Sequence, residues 1–193
     1  GRLFRFFLWT GLFATICGVA GIAGIYYYLS RDLPKIETLS DYHPPIITTV
    51  YADDGSKIAE FFKERRIVIP LSEMPEQLIQ AFVAAEDARF YKHQGIDFQS
   101  IARAFFKNLE AGTIVQGGST ITQQVTKSFF LTPERSYRRK IKEAILAYRI
   151  DKTFSKSEIL YLYLNQIYLG HGAYGVEAAA ENYFDKNVEQ LSL

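Results

Sequence analysis

Cysteine is nearly missing: Cys17 is the only one in 193 residues, and it sits inside an apolar run. Disulfide staples and thiolate metal sites are therefore excluded, and cysteine gives no clue to compartment. Proline is sparse, at six residues, three of which (Pro34, Pro44 and Pro45) fall between positions 30 and 45. Charge of one sign is also lacking. Lys and Arg total 22 against 21 Asp and Glu, a net +1, so the basic excess of a general nucleic-acid binder is absent and no nucleic-acid partner is expected. There is no internal repeat, no low-complexity tract and no Gly-Lys-Ser/Thr phosphate loop. What remains is an ordinary globular balance, 48% hydrophobic and 22% charged, enough for one domain with its own core.

The long hydrophobic run comes first. Residues 6–29 carry no charge, with Arg2 and Arg5 before them, Trp9 near that end and Tyr26, Tyr27 and Tyr28 at the other. At about 1.5 Å per residue such a helix crosses the roughly 30 Å hydrocarbon layer. A basic start and aromatic belts predict residues 1–29 as a transmembrane helix with a short cytoplasmic N-terminus. A cleaved signal peptide fits less well, because its apolar core is shorter, and a lipobox at Cys17 is spoiled by Ile16. The pairs Ala14/Gly18 and Ala20/Gly24 have the spacing that lets helices pack closely. Everything beyond residue 30 is then extracytoplasmic.

Residues 30–45 read as a linker. Residues 46–51, 57–62 and 66–69 flank Asp53-Asp54-Gly55 and predict a small sheet or hairpin. Beyond Pro75 the apolar spacing turns helical, with helices expected at 76–90, 97–110, 118–130, 137–152, 156–169 and 173–184. Ser155 and Glu158 form a capping box for the fifth of these, and Gly170 follows its end. The fold class expected is mainly α.

Two acids stand on apolar stripes. Glu86 shares a face with Ile79, Phe82, Val83 and Phe90, and Glu143 shares one with Leu146, Ala147, Ile150 and Phe154. A carboxylate so placed is either paired, Glu86 with Arg89 and Glu143 with Arg139, or desolvated in a cleft where its pKa rises toward useful proton transfer. Around Glu143 lie Arg135, Arg138, Arg139, Lys140 and Lys142, a density able to hold a phosphate group or simply to form a solvated face. Gly117-Gly118-Ser119-Thr120-Ile121-Thr122-Gln123-Gln124 joins a flexible pair to hydroxyls and amides at a helix start. It suits sugar hydroxyls or anions, and equally a plain capped helix.

Taken in order, these segments resemble glycosyltransferase family 51, the peptidoglycan glycosyltransferase domain of class A penicillin-binding proteins and monofunctional peptidoglycan polymerases. Glu86-Asp87-Ala88-Arg89-Phe90-Tyr91-Lys92-His93-Gln94-Gly95 is similar to that family's first motif, and residues 117–124 with Lys127 to its second. Arg139-Lys140-Ile141-Lys142-Glu143 matches the third, residues 156–165 the fourth, and residues 172–179 with Tyr183-Phe184 the fifth. Asp185 stands where the family commonly has Gly, a departure that bears on a turn.

The resemblance, covering residues 46–193, implies a lysozyme-like helical catalytic domain cut short at its C-terminus. It implies that lipid II is polymerised into glycan strands by inverting transfer, with undecaprenyl pyrophosphate released. Glu86 would be the general base, and Glu143 would assist the departing pyrophosphate, directly or through a divalent cation (Mg or Mn) or basic neighbours. No cofactor is otherwise required. Lys127, Arg135, Arg139 and Lys140 would surround the pyrophosphate; Ser119, Thr120, Gln123 and Gln124 would line the cleft; Asp87, Phe90 and His93 would support the first motif. The partners implied are lipid II, the growing strand, the membrane and other cell-wall synthesis proteins, at the bacterial cytoplasmic membrane. Residues 108–116 resemble the family's mobile lid, and the pairs Phe105-Phe106 and Phe129-Phe130 are candidates for dipping into lipid. The stretch before the first motif resembles class A proteins, so a transpeptidase domain is expected beyond Leu193. A lytic transglycosylase or hydrolase, and a non-catalytic glycan-binding module, are the rival readings.

Overall fold

The computed structural model describes all residues except 35, 37–47, 63, 133, 135 and 193, and leaves out the side chains of Ile22, Lys57 and Glu60. Most of the expected linker, the first residues of the expected hairpin and Arg135 thus lie outside the described residues.

The long helix α1 runs Arg2–Ser30. It is apolar enough to cross a membrane, and its 18-residue apolar window is not buried against the rest of the chain. Among the described residues its last turns touch the domain: Arg149 Nη2 donates to Tyr26 Oη at 3.4 Å, and Leu29 is buried. Strands β1 (Thr48–Tyr51) and β2 (Lys57–Phe61) pair antiparallel around the Asp53-Asp54-Gly55 turn, as the alternation predicts. The expected third run is only β3 (Arg65–Arg66), which pairs in parallel with β4 (Ala173–Tyr174). That pairing takes residues 173–174 out of the helix expected there.

Among the described residues six α-helices form the body: α2 (Glu76–Glu86), α3 (Phe98–Ala111), α4 (Ile121–Phe130), α5 (Tyr137–Thr153), α6 (Lys156–Gln166) and α7 (Val176–Phe184). This mainly α arrangement is consistent with a lysozyme-like domain. Its core joins Val83 and Phe90 to Ile121 and Val125 of α4, Ile150 of α5, Ile159, Leu160 and Leu164 of α6, and Val176 and Ala180 of α7. With α4 packed on both α5 and α6, the motif segments converge on one side of the bundle.

Several helix ends differ from the periodicity for identifiable reasons. Helix α2 stops at Glu86 and not at 90, because Asp87 leaves helical geometry (φ −154°, ψ 69°) to turn its carboxylate inward. Helix α4 starts at 121 and not 118, since Thr120 is its N-cap in a full capping box with Gln123. Ser155 and Glu158 do form the expected box on α6. Asp185 closes α7 in the left-handed region (φ 52°), so the position does demand the conformation Gly favours, and Asp is among the residues that tolerate it.

Gly95 has φ 79°, and a Cβ built there would lie 2.3 Å from the Ala147 carbonyl oxygen on α5. Backbone meets backbone, so no side chain can yield. Gly95→Ala combines left-handed strain with overpacking, an expected loss on the order of 3–5 kcal/mol. For a domain of this size that lowers the melting temperature by roughly 10 °C or more; a thermal melt within about 2 °C of wild type would contradict the account of this contact.

Candidate active site

The end of α2, the 115–120 segment and the start of α4 enclose a cleft of about 420 Å³. Glu86, Asp87, Ser100, Arg103, Ser119, Thr120 and Gln124 are among its walls. Glu86 is exposed there, not sunk among apolar residues as its helical spacing suggested. The helix ends at this residue, so its side chain escapes the stripe and meets the opening. It does not pair with Arg89, which sits 3.2 Å from Asp97. Among the described residues its one hydrogen bond comes from Gln124, whose Nε2 donates to Oε2 at 2.8 Å.

Behind Glu86 lies a buried polar frame. His93 Nε2 lies 3.0 Å from both Asp87 carboxylate oxygens, and Ile121 N–H donates to Asp87 Oδ2 at 3.1 Å. One carboxylate thus locks the first motif to the N-terminus of α4, where unpaired N–H groups favour an anion. Phe90 is fully buried, with the Lys156 ammonium 4.5 Å above its ring. That ammonium donates to His93 O at 2.9 Å and to Asp151 Oδ2 at 2.6 Å. Asp97 caps α3: burial pushes its carboxyl up, yet hydrogen bonds from Ser100 and Gln99 and the nearby Arg89 outweigh this and hold it below the usual range.

Thr120 and Gln123 were candidates for the cleft lining. Both side chains are committed to the fold: Thr120 Oγ1 donates to Gly95 O at 2.6 Å and accepts from Gln123 N–H, while Gln123 Oε1 accepts from Thr120 N–H at 3.0 Å. Ser119 and Gln124 are the pair whose polar atoms face the opening.

Glu143 is 2% exposed, as its place on the apolar face of α5 requires. Arg139 Nη1 donates to Oε2 at 3.3 Å, and Lys140 Nζ donates to Oε1. Lys140 Nζ also donates to Ser119 Oγ at 2.8 Å, which ties this cation pair to the rim of the Glu86 cleft. A second cavity, about 260 Å³, opens beside α4 between Lys127, Ser128, Tyr163, Gln166 and Tyr168, with Gln124 on the shared wall. Lys127 is exposed in it. Around Glu143 both carboxylate oxygens are occupied by cations, and among the described residues no group of three His, Cys, Asp or Glu side chains is placed to hold a metal.

Sequence reasoning missed two contributors. Arg103 carries a cation to the wall of the cleft that Glu86 also lines, yet on α3 it reads as a solvated residue. Tyr163 is 2% exposed with its hydroxyl buried and without a hydrogen-bond partner.

A family model described as Transglycosylase matches residues 54–193. Penicillin-binding protein 1A of Rickettsia bellii is 50% identical over 185 residues, covering 94% of this chain and 23% of the relative. The protein of that name from Escherichia coli is 46% identical over 192 residues, covering 100% and 23%, and that from Vibrio cholerae 48% over 185, covering 94% and 22%. The chain thus spans about a quarter of the length of the curated relatives it matches. With a family model covering well over half its residues, including every segment that builds the two cavities, the chain belongs to the transglycosylase family.

Proposed function

We propose that this domain is a peptidoglycan glycosyltransferase that joins lipid-linked disaccharides on the outer face of a bacterial cytoplasmic membrane. One observation carries the reading: a single cleft has an exposed carboxylate, Glu86, on its wall, and Lys140 reaches the same cleft through Ser119, while Glu143 holds Lys140 together with Arg139. Displacement of a pyrophosphate by a sugar hydroxyl needs a base at the nucleophile and positive charge at the leaving group.

In the step proposed, Glu86 takes the proton from the acceptor's 4-hydroxyl as that oxygen bonds to C1 of the donor. The C1–oxygen bond to the pyrophosphate breaks, the electron pair leaves with the undecaprenyl pyrophosphate, and C1 is inverted. Glu143 acts by fixing the two cations, and Lys127 adds a third across the Gln124 wall. A divalent ion held by the pyrophosphate oxygens would add positive charge at the leaving group. Asp87, Phe90, His93, Thr120 and Gln123 hold the frame.

The spanning length of α1 supports the membrane anchor. So does the exposed apolar surface of α3 and the loop after it, where Phe98, Phe105, Phe106, Leu109 and Ile114 are all more than 60% exposed, unlike Phe129 and Phe130, which pack on the core. A strip of that size on a soluble face favours a lipid surface. The relatives' length and printed name support a longer penicillin-binding protein containing this domain, in which strands made here are cross-linked by a second domain.

Incubation of the full-length protein with purified lipid II tests the activity. Glycan polymer with released undecaprenyl pyrophosphate supports it; cleavage of preformed glycan would point to a lytic enzyme, and neither product to a binding module. Lys127→Ala is expected to weaken competition by undecaprenyl pyrophosphate about tenfold, the loss of one charge-assisted hydrogen bond at an open site. Unchanged competition would remove Lys127 from the pyrophosphate site.

A further inference from the structure

Tyr163 lies on α6, outside the acid and basic segments, and its hydroxyl is the unusual feature. Its ring is anchored: it meets the Phe82 ring edge-on at 6.2 Å, and Phe82 is one helical turn before Glu86 on α2, so it shares that residue's face. The hydroxyl is buried but has no hydrogen-bond partner among the described residues, an arrangement folds normally avoid because an unmade buried hydrogen bond is costly. It lines the cavity whose wall is Gln124, the same side chain that donates to Glu86 Oε2 at 2.8 Å. A buried donor without a partner among the described residues, in the same wall as the side chain that holds Glu86, is a group able to take an acceptor.

We propose that Tyr163 is a positioning residue for Glu86: when substrate fills the cleft, its hydroxyl donates to the carboxylate oxygen already held by Gln124, leaving the other oxygen to take the acceptor's proton. The inference rests on the reading of Glu86 as base. The hydroxyl keeps its proton throughout, because burial and then the Glu86 charge both raise its pKa. The other charged or titratable groups facing the pair are Lys127 and Tyr168 in one cavity and Arg103 and Asp87 in the other. Asp87 is held by His93, and that pair is common to wild type and variant.

Two donors on one carboxylate favour its charged form. Because the second bond forms only with substrate bound, the acid limb of kcat, which reports the bound enzyme, lies below the acid limb of kcat/KM, which reports the free enzyme. The test is Tyr163→Phe in the full-length detergent-solubilised protein with fluorescent lipid II, followed across pH. The expected result is a kcat lowered about tenfold at neutral pH, as a misplaced base predicts, with KM within about twofold of wild type. The acid limb of kcat should move upward to meet that of kcat/KM, which stays in place. The melting temperature should be unchanged or higher, since an unsatisfied hydroxyl is removed. An unchanged kcat, or two limbs that shift together, overturns the proposal. Glu86→Gln, run alongside, separates the failures: if it retains more than about a tenth of the wild-type rate, the base reading falls and Tyr163 with it; if it is inactive while Tyr163→Phe is normal, only Tyr163 falls.

Discussion

Glu86→Gln is expected to lower polymerisation by a factor of about 10² or more, the usual cost of removing a general base, while the fold and lipid II binding remain close to wild type. The substitution keeps volume and removes only basicity. Glu86 is exposed at the end of α2 and has a single hydrogen bond, from Gln124, which a Gln side-chain oxygen can still accept, so no buried group is orphaned. Stability should therefore stay within about 0.5 kcal/mol, as for surface replacements away from special features. A large fall in melting temperature would assign Glu86 to the fold, and retention of more than about a tenth of the rate would take away its role in proton transfer.

Glu143→Gln should act differently, because Glu143 is buried and holds two cations. Its loss leaves the Arg139 side chain, 17% exposed, and that of Lys140, 47% exposed, without their anion. A fully buried pair broken in this way costs about 3–5 kcal/mol; with Lys140 half exposed and Arg139 only partly buried, about 1–3 kcal/mol is expected. Turnover should fall by about 10², since the cations no longer sit where charge develops. Product inhibition by undecaprenyl pyrophosphate should nevertheless grow stronger, because a negative charge next to the anion has been deleted. Weaker inhibition would mean that Glu143 meets the pyrophosphate in some other way, such as through a bound ion.

Much of this was legible in the sequence, and the misses share a cause. Helical spacing identified six helices, and the acidic residues marked two segments of the site. Spacing assumes that a helix continues, however, and Glu86 is its last residue; Asp87 breaks the helix to reach His93 and the start of α4, a long-range contact that no local pattern encodes. Hence Glu86 was expected to be either paired with Arg89 or desolvated, and is instead exposed with a hydrogen bond from Gln124. Thr120 and Gln123 could have been read better, for Thr-x-x-Gln before an apolar run is a capping box, and the structure confirms the box. The Glu143 pairing with Arg139 followed from four-residue spacing, whereas its second cation, and the link through Ser119, required the packing of α4 on α5. Tyr163 was invisible because a tyrosine among Leu160, Leu162 and Leu164 reads as core; only the orphaned hydroxyl distinguishes it.

The stereochemistry at C1 tests the central claim most directly, since Glu86 acting as base implies one displacement and Glu86 acting as nucleophile implies two. A single turnover with isotopically labelled lipid II, the new linkage examined by NMR and the protein by intact-mass analysis, distinguishes them. The account predicts inversion at C1 with no sugar attached to the protein; retention, or a glycosyl group trapped on Glu86, would contradict it.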